Sequence, residues 1–253
     1  MPLNERHREV WEKLERTFFG DVVDDTFSIK GKELADWTEH QDHVVEVIRS
    51  LQPNLQARYG HSLVFFRVIE IFRDLHWIQQ CVIHGAYHSA IRELRYHLEA
   101  MVQAYALWKL HPDAPMNQKL ALLPALERRK FRSLLRRSGV EEEALCKLYG
   151  DLCKYVHPSS VELTPVIRDG RVDSRFTFCF DEGLFELTRA FTRRTMDALL
   201  HLMLLRFEEA RKSFGEQEVV LHALRDMGLE LTLRTAKGKA AQAPILRMKS
   251  RTP

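Results

Sequence analysis

The feature that most constrains this chain is the apolar run at residues 61–83. Leu63 to Phe66, Val68, Ile69, Ile71, Phe72, Leu75, Trp77 and Ile78 leave only a narrow polar stripe of Arg67, Glu70 and Asp74. A segment of this length with apolar residues on nearly every side reads as a helix, and such a helix is expected in the middle of a core. The other helices must then be arranged around it. Gly85 either interrupts this helix or marks where the next one begins.

Periodicity places those other helices. Val10, Trp11, Leu14 and Phe18 mark an amphipathic helix over residues 4–19, stopped by Gly20. An irregular connection at 21–31 and a helix over 32–51, ending before Pro53, are expected next. Residues 86–110 carry a core face of Tyr87, Ile91, Leu94, Leu98, Met101, Tyr105 and Trp108. His111-Pro112-Asp113-Ala114-Pro115 is a loop. Helices follow over 117–138, ending near Gly139, and over 141–157, where Glu141 to Glu143 suit the positive end of the helix. Leu163–Ile167, Asp169-Gly170 and Val172–Phe180 read as a β-hairpin, with Phe176, Phe178 and Phe180 alternating with Arg175, Thr177 and Cys179. A long helix over 182–210 is capped by Asp181. A shorter one covers 215–227, and Leu229–Leu233 is either a short strand or part of the tail.

The expected fold class is therefore mainly all-α, a helical bundle with a small inserted β-hairpin near 162–180. Residues 1–55 supply N-terminal helices that pack on the core, 56–233 the bundle with its hairpin, and 234–253 a basic flexible tail. The Phe-rich hairpin and the long apolar helix offer more apolar surface than one chain covers, so a homodimer is the expected assembly.

Charge narrows the classes of partner. The tail holds six of the 38 basic residues and no acid, so the rest of the chain is slightly acidic. Only the tail and one local cluster favour polyanions. The most apolar stretch, Met196 to Phe207, is short and contains Asp197, His201 and Arg206, so no membrane span is expected. Met1 to Arg6 has no apolar signal core. The four cysteines form no Cys-x-x-Cys pair, and reduced, packed thiols in a cytoplasmic protein are expected.

Four groups of residues are candidates for chemistry. On the helix at 86–110, His88, Arg92, Arg95, Glu99 and Gln103 form one stripe beside the core face, while Ser89, Ala100 and Ala104 opposite permit close packing. Enclosed by neighbouring helices, the stripe is a site; partly exposed, it holds ordinary pairs such as Arg95–Glu99. In the segment from Tyr149 to Ser160, Pro158 places His157 where a helix ends, with Lys154 one turn back. There His157 acts as a general acid or phosphate ligand, or else caps the last carbonyls. His84 and His88 have the i,i+4 spacing of a metal pair, with Glu99 and His157 as candidate third ligands. Position 85 is Gly rather than Glu, and 12 histidines yield such a pair by accident, so no metal is expected. Arg128, Arg132 and Arg136 stack at i,i+4, with Arg129 and Arg137 nearby, either to hold a phosphate backbone or as a solvated face answered by Glu141 to Glu143. The sequence has no Gly-rich phosphate loop, Gly-x-Ser-x-Gly elbow or dinucleotide fingerprint, and no cofactor is expected.

Ala90 to Glu99, with its R-x-x-x-E pattern, and Leu148 to Ser160, with Y-x-x-L-x-x-x-V-H-P, together resemble the HEPN superfamily. The closest likeness is to a prokaryotic HEPN-like helical family of unknown function, over about residues 60–210. The resemblance implies an RNA-binding protein or a metal-independent ribonuclease, acting as a dimer in stress or phage defence. His157 would be the acid or base, Arg92 or Arg95 would stabilise charge, and Glu99 would orient them. Lys154, Tyr149, Arg128, Arg132 and Arg136 would bind the nucleic acid. The family's signature puts four to six residues between an Arg and the His, whereas Leu152, Asp151 and Gly150 stand at those positions here, with Tyr149 one further. On this reading another helix supplies the Arg. Arg92–His97 and Arg194–His201 match the spacing elsewhere. The alternative is a non-catalytic helical dimer that binds a protein or small ligand, with His157 as a cap and the stripe as a structural network.

Overall fold

The computed structural model describes residues 3–59, 62–127, 129–140, 143–156, 167–168, 171–172, 180–207, 229–232 and 245–248. The described body is all-α. Its helices are α1 (Leu3–Tyr59), α2 (Leu63–Ile83), α3 (Tyr87–Leu110), α4 (Met116–Glu127), α5 (Phe131–Arg137), α6 (Glu143–Cys153) and α7 (Glu182–Arg206).

The centre of the bundle is α3, which packs against α2, α4, α5, α6 and α7. Every residue from Ala100 to Leu107 is buried, including Ala100, Ala104 and Ala106, whose small side chains let neighbouring helices approach closely. The expectation that residues 61–83 occupy the middle of the core is corrected. One side of α2 is buried through Val64, Val68, Ile71, Leu75 and Ile78, but Phe66, Ile69 and Trp77 face solvent. The apolar residues are distributed all round α2, and α3 covers only one side of them.

Helix α1 also departs from expectation. Gly20 does not stop it, and 21–31 is helical rather than irregular. Buried Val22 and Thr26 hold this stretch to the body: the Thr26 hydroxyl donates to the Val22 carbonyl at 2.7 Å and lies 3.4 Å from the Ile83 carbonyl. A glycine within a helix costs about 1 kcal/mol, which tertiary packing readily offsets. The helical geometry breaks instead at Lys30 (φ −123°, ψ 17°), and the helix then runs past Pro53 to Tyr59. Lys30 is buried, and its ammonium lies 2.8 Å from Glu182 and 3.0 Å from Glu186 of α7, and 3.5 Å from Glu33. These carboxylates, Glu182 first, hold Lys30 above its ordinary pKa. Beyond the break, Leu34 and Trp37 enter the core, and Trp37 meets Phe185 edge-on at 6.2 Å.

The single helix expected over 117–138 is two helices, because Lys130 is extended (φ −63°, ψ 133°) between α4 and α5. α6 ends at Cys153 in tightened turns, with the amides of Lys154, Tyr155 and Val156 donating three residues back. α7 starts as expected: the Asp181 carboxylate accepts from the Leu184 amide at 2.8 Å.

Of the hairpin expected near 162–180, the described residues carry only the pairing of Ile167–Arg168 with Arg171–Val172. This does not support the hairpin as anticipated, and its Phe176 and Phe178 arm lies outside the described residues. So do the helix expected at 215–227 and most of the tail, although Leu229–Thr232 pairs antiparallel with Ile245–Met248. Among the described residues, no helix is long and apolar enough to cross a membrane.

Two helices end on a left-handed glycine, Gly85 (φ 71°) and Gly139 (φ 73°). At the second, the Val140 amide donates to Leu135 and the Gly139 amide to Arg136, the paired bonds of a Schellman motif. A Cβ at Gly139 would meet nothing within 4 Å, so alanine there is penalised by conformation alone. Gly139→Ala is expected to lower stability by about 1–2 kcal/mol. Gly150→Ala, inside α6 and equally open, is expected to raise it by up to about 1 kcal/mol. Urea denaturation of the two variants checks the opposite signs; equal effects would contradict the assigned backbone geometry.

Candidate functional site

From Arg92 onward the stripe on α3 becomes more enclosed: Arg92 is exposed, Arg95 and Glu99 are half-buried, and Gln103 is buried. Its middle meets α6. Arg95 Nη2 donates to the Tyr149 hydroxyl at 3.2 Å and lies 3.4 Å from Glu99 Oε2. The guanidinium also sits 5.4 Å from the centre of the Tyr149 ring. On its other side Tyr149 stacks flat on Phe131 of α5, with centroids 4.0 Å apart and planes within 1°. Burial, opposed by Arg95, raises the Tyr149 pKa, so the phenol is neutral at physiological pH and accepts from Arg95. At the start of the stripe, His88 Nδ1 lies 3.3 Å from the Tyr155 carbonyl, in the turn that follows α6. The stripe and the end of α6 therefore adjoin, through His88–Tyr155 and Arg95–Tyr149. His157 lies outside the described residues.

Tyr149 also forms one wall of an open cleft of about 380 Å³ between α5 and α6. Phe131, Arg132, Glu143, Cys146 and Lys147 line the rest. Arg132 and Lys147 are exposed, as are Arg129, Lys130, Arg136 and Arg137 on the same short stretch of chain. The structure thus brings Arg132 and Tyr149, both anticipated from sequence, into one cleft. It does not place Arg136 in the lining, and the break at Lys130 separates α4 from the short helix that carries Arg132 and Arg136. Arg128 is itself outside the described residues. Lys154 also turns away, since its ammonium lies 2.9 Å from Asp151 Oδ1.

Lys147, Glu143, Cys146 and Phe131 were not anticipated as site residues. The first three did leave a signal, because positions 143, 146, 147 and 150 share one face of α6 at i, i+3, i+4 and i+7. The pairing of Phe131 with Tyr149 left none, since it joins two helices across the bundle.

Neither Arg–His pair of matching spacing assembles a joint site. His97 is buried, with Nε2 3.2 Å from Asp74 Oδ2, whereas Arg92 is exposed. Arg194 lies 3.5 Å from Asp151, while His201 is buried further along α7. His84 and His88 are each engaged separately, with His84 Nδ1 2.7 Å from the Gln80 carbonyl. Among the described residues, no group of three His, Cys, Asp or Glu side chains is placed to hold a metal ion.

Burial lowers the His97 pKa from 6.5, outweighing Asp74 and Glu70, which raise it. The Asp74 pKa lies below 3.8, held there chiefly by Arg73. Both values are depressed in the folded state, so both groups stabilise the fold fully only above their unfolded pKa values. Stability is expected to fall first as pH drops below about 6.5, when His97 in the unfolded chain binds a proton, and again below about 4 through Asp74. His97→Gln is expected to flatten the pH dependence between pH 7 and 5 relative to the parent. Denaturation midpoints across that range test this, and parallel curves would contradict it.

Comparison with models of known families, with curated proteins and with solved structures found no match.

Proposed function

We propose that the chain is a HEPN-like RNA-binding protein that takes single-stranded RNA in the α5–α6 cleft. The observation supporting this is the cleft itself, where Tyr149, held between Arg95 and Phe131, stands beside the exposed cations Arg132 and Lys147. A fixed tyrosine edge beside exposed cations suits the hydrogen-bonding edge of an unpaired base and its phosphate. In a body that is slightly acidic overall, this local cationic stretch sets the approach of a polyanion. Metal-independent cleavage is the catalytic extension of the same reading. It needs a proton donor or acceptor at the ribose hydroxyl or leaving oxygen and a cation at the phosphorane. His157 is the proposed acid or base, with Arg92 or Arg95 as the cation and Glu99 orienting them.

A second reading is favoured by a specific observation: Arg95 and Glu99 are engaged with each other and with Tyr149. On that reading the stripe is a structural network, and the chain is a non-catalytic helical protein that binds a protein or small-molecule ligand.

Fluorescence anisotropy with a labelled mixed-sequence single-stranded RNA tests the binding claim. The full chain carrying Arg132→Glu and Lys147→Glu is expected to bind at least about tenfold more weakly and to show a salt dependence shallower by about 1–2 in log–log slope. Unchanged affinity, or no binding by the parent, would sink it. Cleavage is tested separately with the parent and His157→Ala, with and without EDTA. Activity that survives EDTA and disappears in the variant is expected of the ribonuclease; binding without cleavage leaves an RNA-binding protein.

A further inference from the structure

Helix α2 presents to solvent a face that no other described element covers. Phe66 is 51% and Trp77 55% exposed, with Ile69 beside them and Tyr96 of α3 extending the patch. Between the two aromatics stand Glu70 and Arg73. At 100° per residue, positions 66, 70, 73 and 77 fall within an arc of about 60°. Read along the helix they run aromatic, acid, base, aromatic, at spacings of four, three and four.

Reversing the helix keeps the two aromatics in place and exchanges acid for base, so the pattern is complementary to itself. A two-fold axis through the midpoint between residues 71 and 72 sets Phe66 opposite Trp77 and Glu70 opposite Arg73 of the other copy. Two aromatic contacts and two opposite-charge contacts arise from one patch, as an isologous interface requires. A parallel arrangement in register would instead set Arg73 against Arg73 and Glu70 against Glu70.

The side chains are prepared unequally for this. Glu70 is held by Arg67 and by the Tyr96 hydroxyl, which donates to it at 3.2 Å. The Arg73 side chain is 73% exposed and paired with Asp74 through Nε at 2.8 Å and Nη2 at 3.2 Å, with Nη2 also 3.9 Å from Glu70 of its own chain. The acid is thus half-buried and held within its own chain, while the base, though paired with Asp74, stands out in solvent.

We propose that this face binds the same face of a second copy of the chain, forming an antiparallel α2–α2 contact about that two-fold. The 3–4 alternation of positions suits a shallow crossing between the helices. One helix pair buries less than the roughly 1,200 Å² of a standard interface, so the dimer is reversible and concentration-dependent. No residue of α2 lines the α5–α6 cleft, and the inference stands apart from the RNA reading.

Sedimentation equilibrium of the full chain over a wide concentration range tests it, with thermal melts to show that each variant is folded. The parent is expected to dimerise. Glu70→Arg and Arg73→Glu, each setting like charges together, are expected to weaken self-association at least about tenfold. An equimolar mixture of the two is expected to regain it, because the mixed pair restores both opposite-charge contacts. Should Glu70→Arg disturb its internal bonds, Arg73→Glu and Trp77→Glu alter exposed side chains and carry the same expectation of dissociation. A parent that stays monomeric at every concentration would overturn the proposal and leave the face to a different partner. So would a dimer indifferent to Arg73→Glu and Trp77→Glu, or folded charge variants whose mixture fails to associate.

Discussion

The enclosure of α3 is the constraint on which the rest of the structure depends. From Ala100 to Leu107 every residue is buried, and α2, α4, α5, α6 and α7 all pack on this helix. Three alanines in that stretch keep the packing close, so each neighbour is fixed relative to one central rod. Such a position is costly for polar groups, which must find partners inside the bundle. Two polar groups near the middle of α3 lie against particular helices: Arg95 donates to Tyr149 of α6, and His97 Nε2 lies 3.2 Å from Asp74 of α2.

These two contacts have different consequences. His97 and Asp74 close a polar gap between α2 and α3. Arg95 connects the core to a surface, because the ring it touches is the wall of the α5–α6 cleft. Its contact and the flat stacking of Phe131 leave Tyr149 little freedom, while Arg132 and Lys147 are exposed. A rigid aromatic beside exposed cations suits a ligand with both a flat and an anionic part. The salt-bridged kink at Lys30 also joins elements, tying α1 to the first two turns of α7.

The sequence exposed some of this plainly. The period of α3, the Asp181 cap and the stop at Gly139 follow from local chemistry, and each is seen where that chemistry places it. Errors arose where long-range packing outweighed local preference. Gly20 reads as a stop, yet the stretch beyond it is held by Val22 and Thr26 against the end of α2. The break lies at Lys30, where a buried ammonium draws three carboxylates from two helices, something no local pattern displays. The same limit explains α2. Composition alone cannot say which side of an all-round apolar helix is covered, and Phe66 and Trp77 emerged on the open one. Of the candidate site, Arg95, Glu99, Tyr149 and Arg132 were legible as residues, whereas the meeting of α5 with α6 was not. The break at Lys130 turns the expected stack of arginines into the short helix that forms one side of the cleft.

The central claim is that the α5–α6 cleft, rather than the basic tail, is the surface that meets nucleic acid. Ultraviolet cross-linking of the full chain to single-stranded RNA, followed by mass spectrometry of the digested protein, tests this most directly. The account predicts adducts on peptides spanning Phe131 to Tyr149, with Tyr149 and Cys146 as the favoured acceptors. Adducts confined to residues 234–253, or none at all, would contradict it.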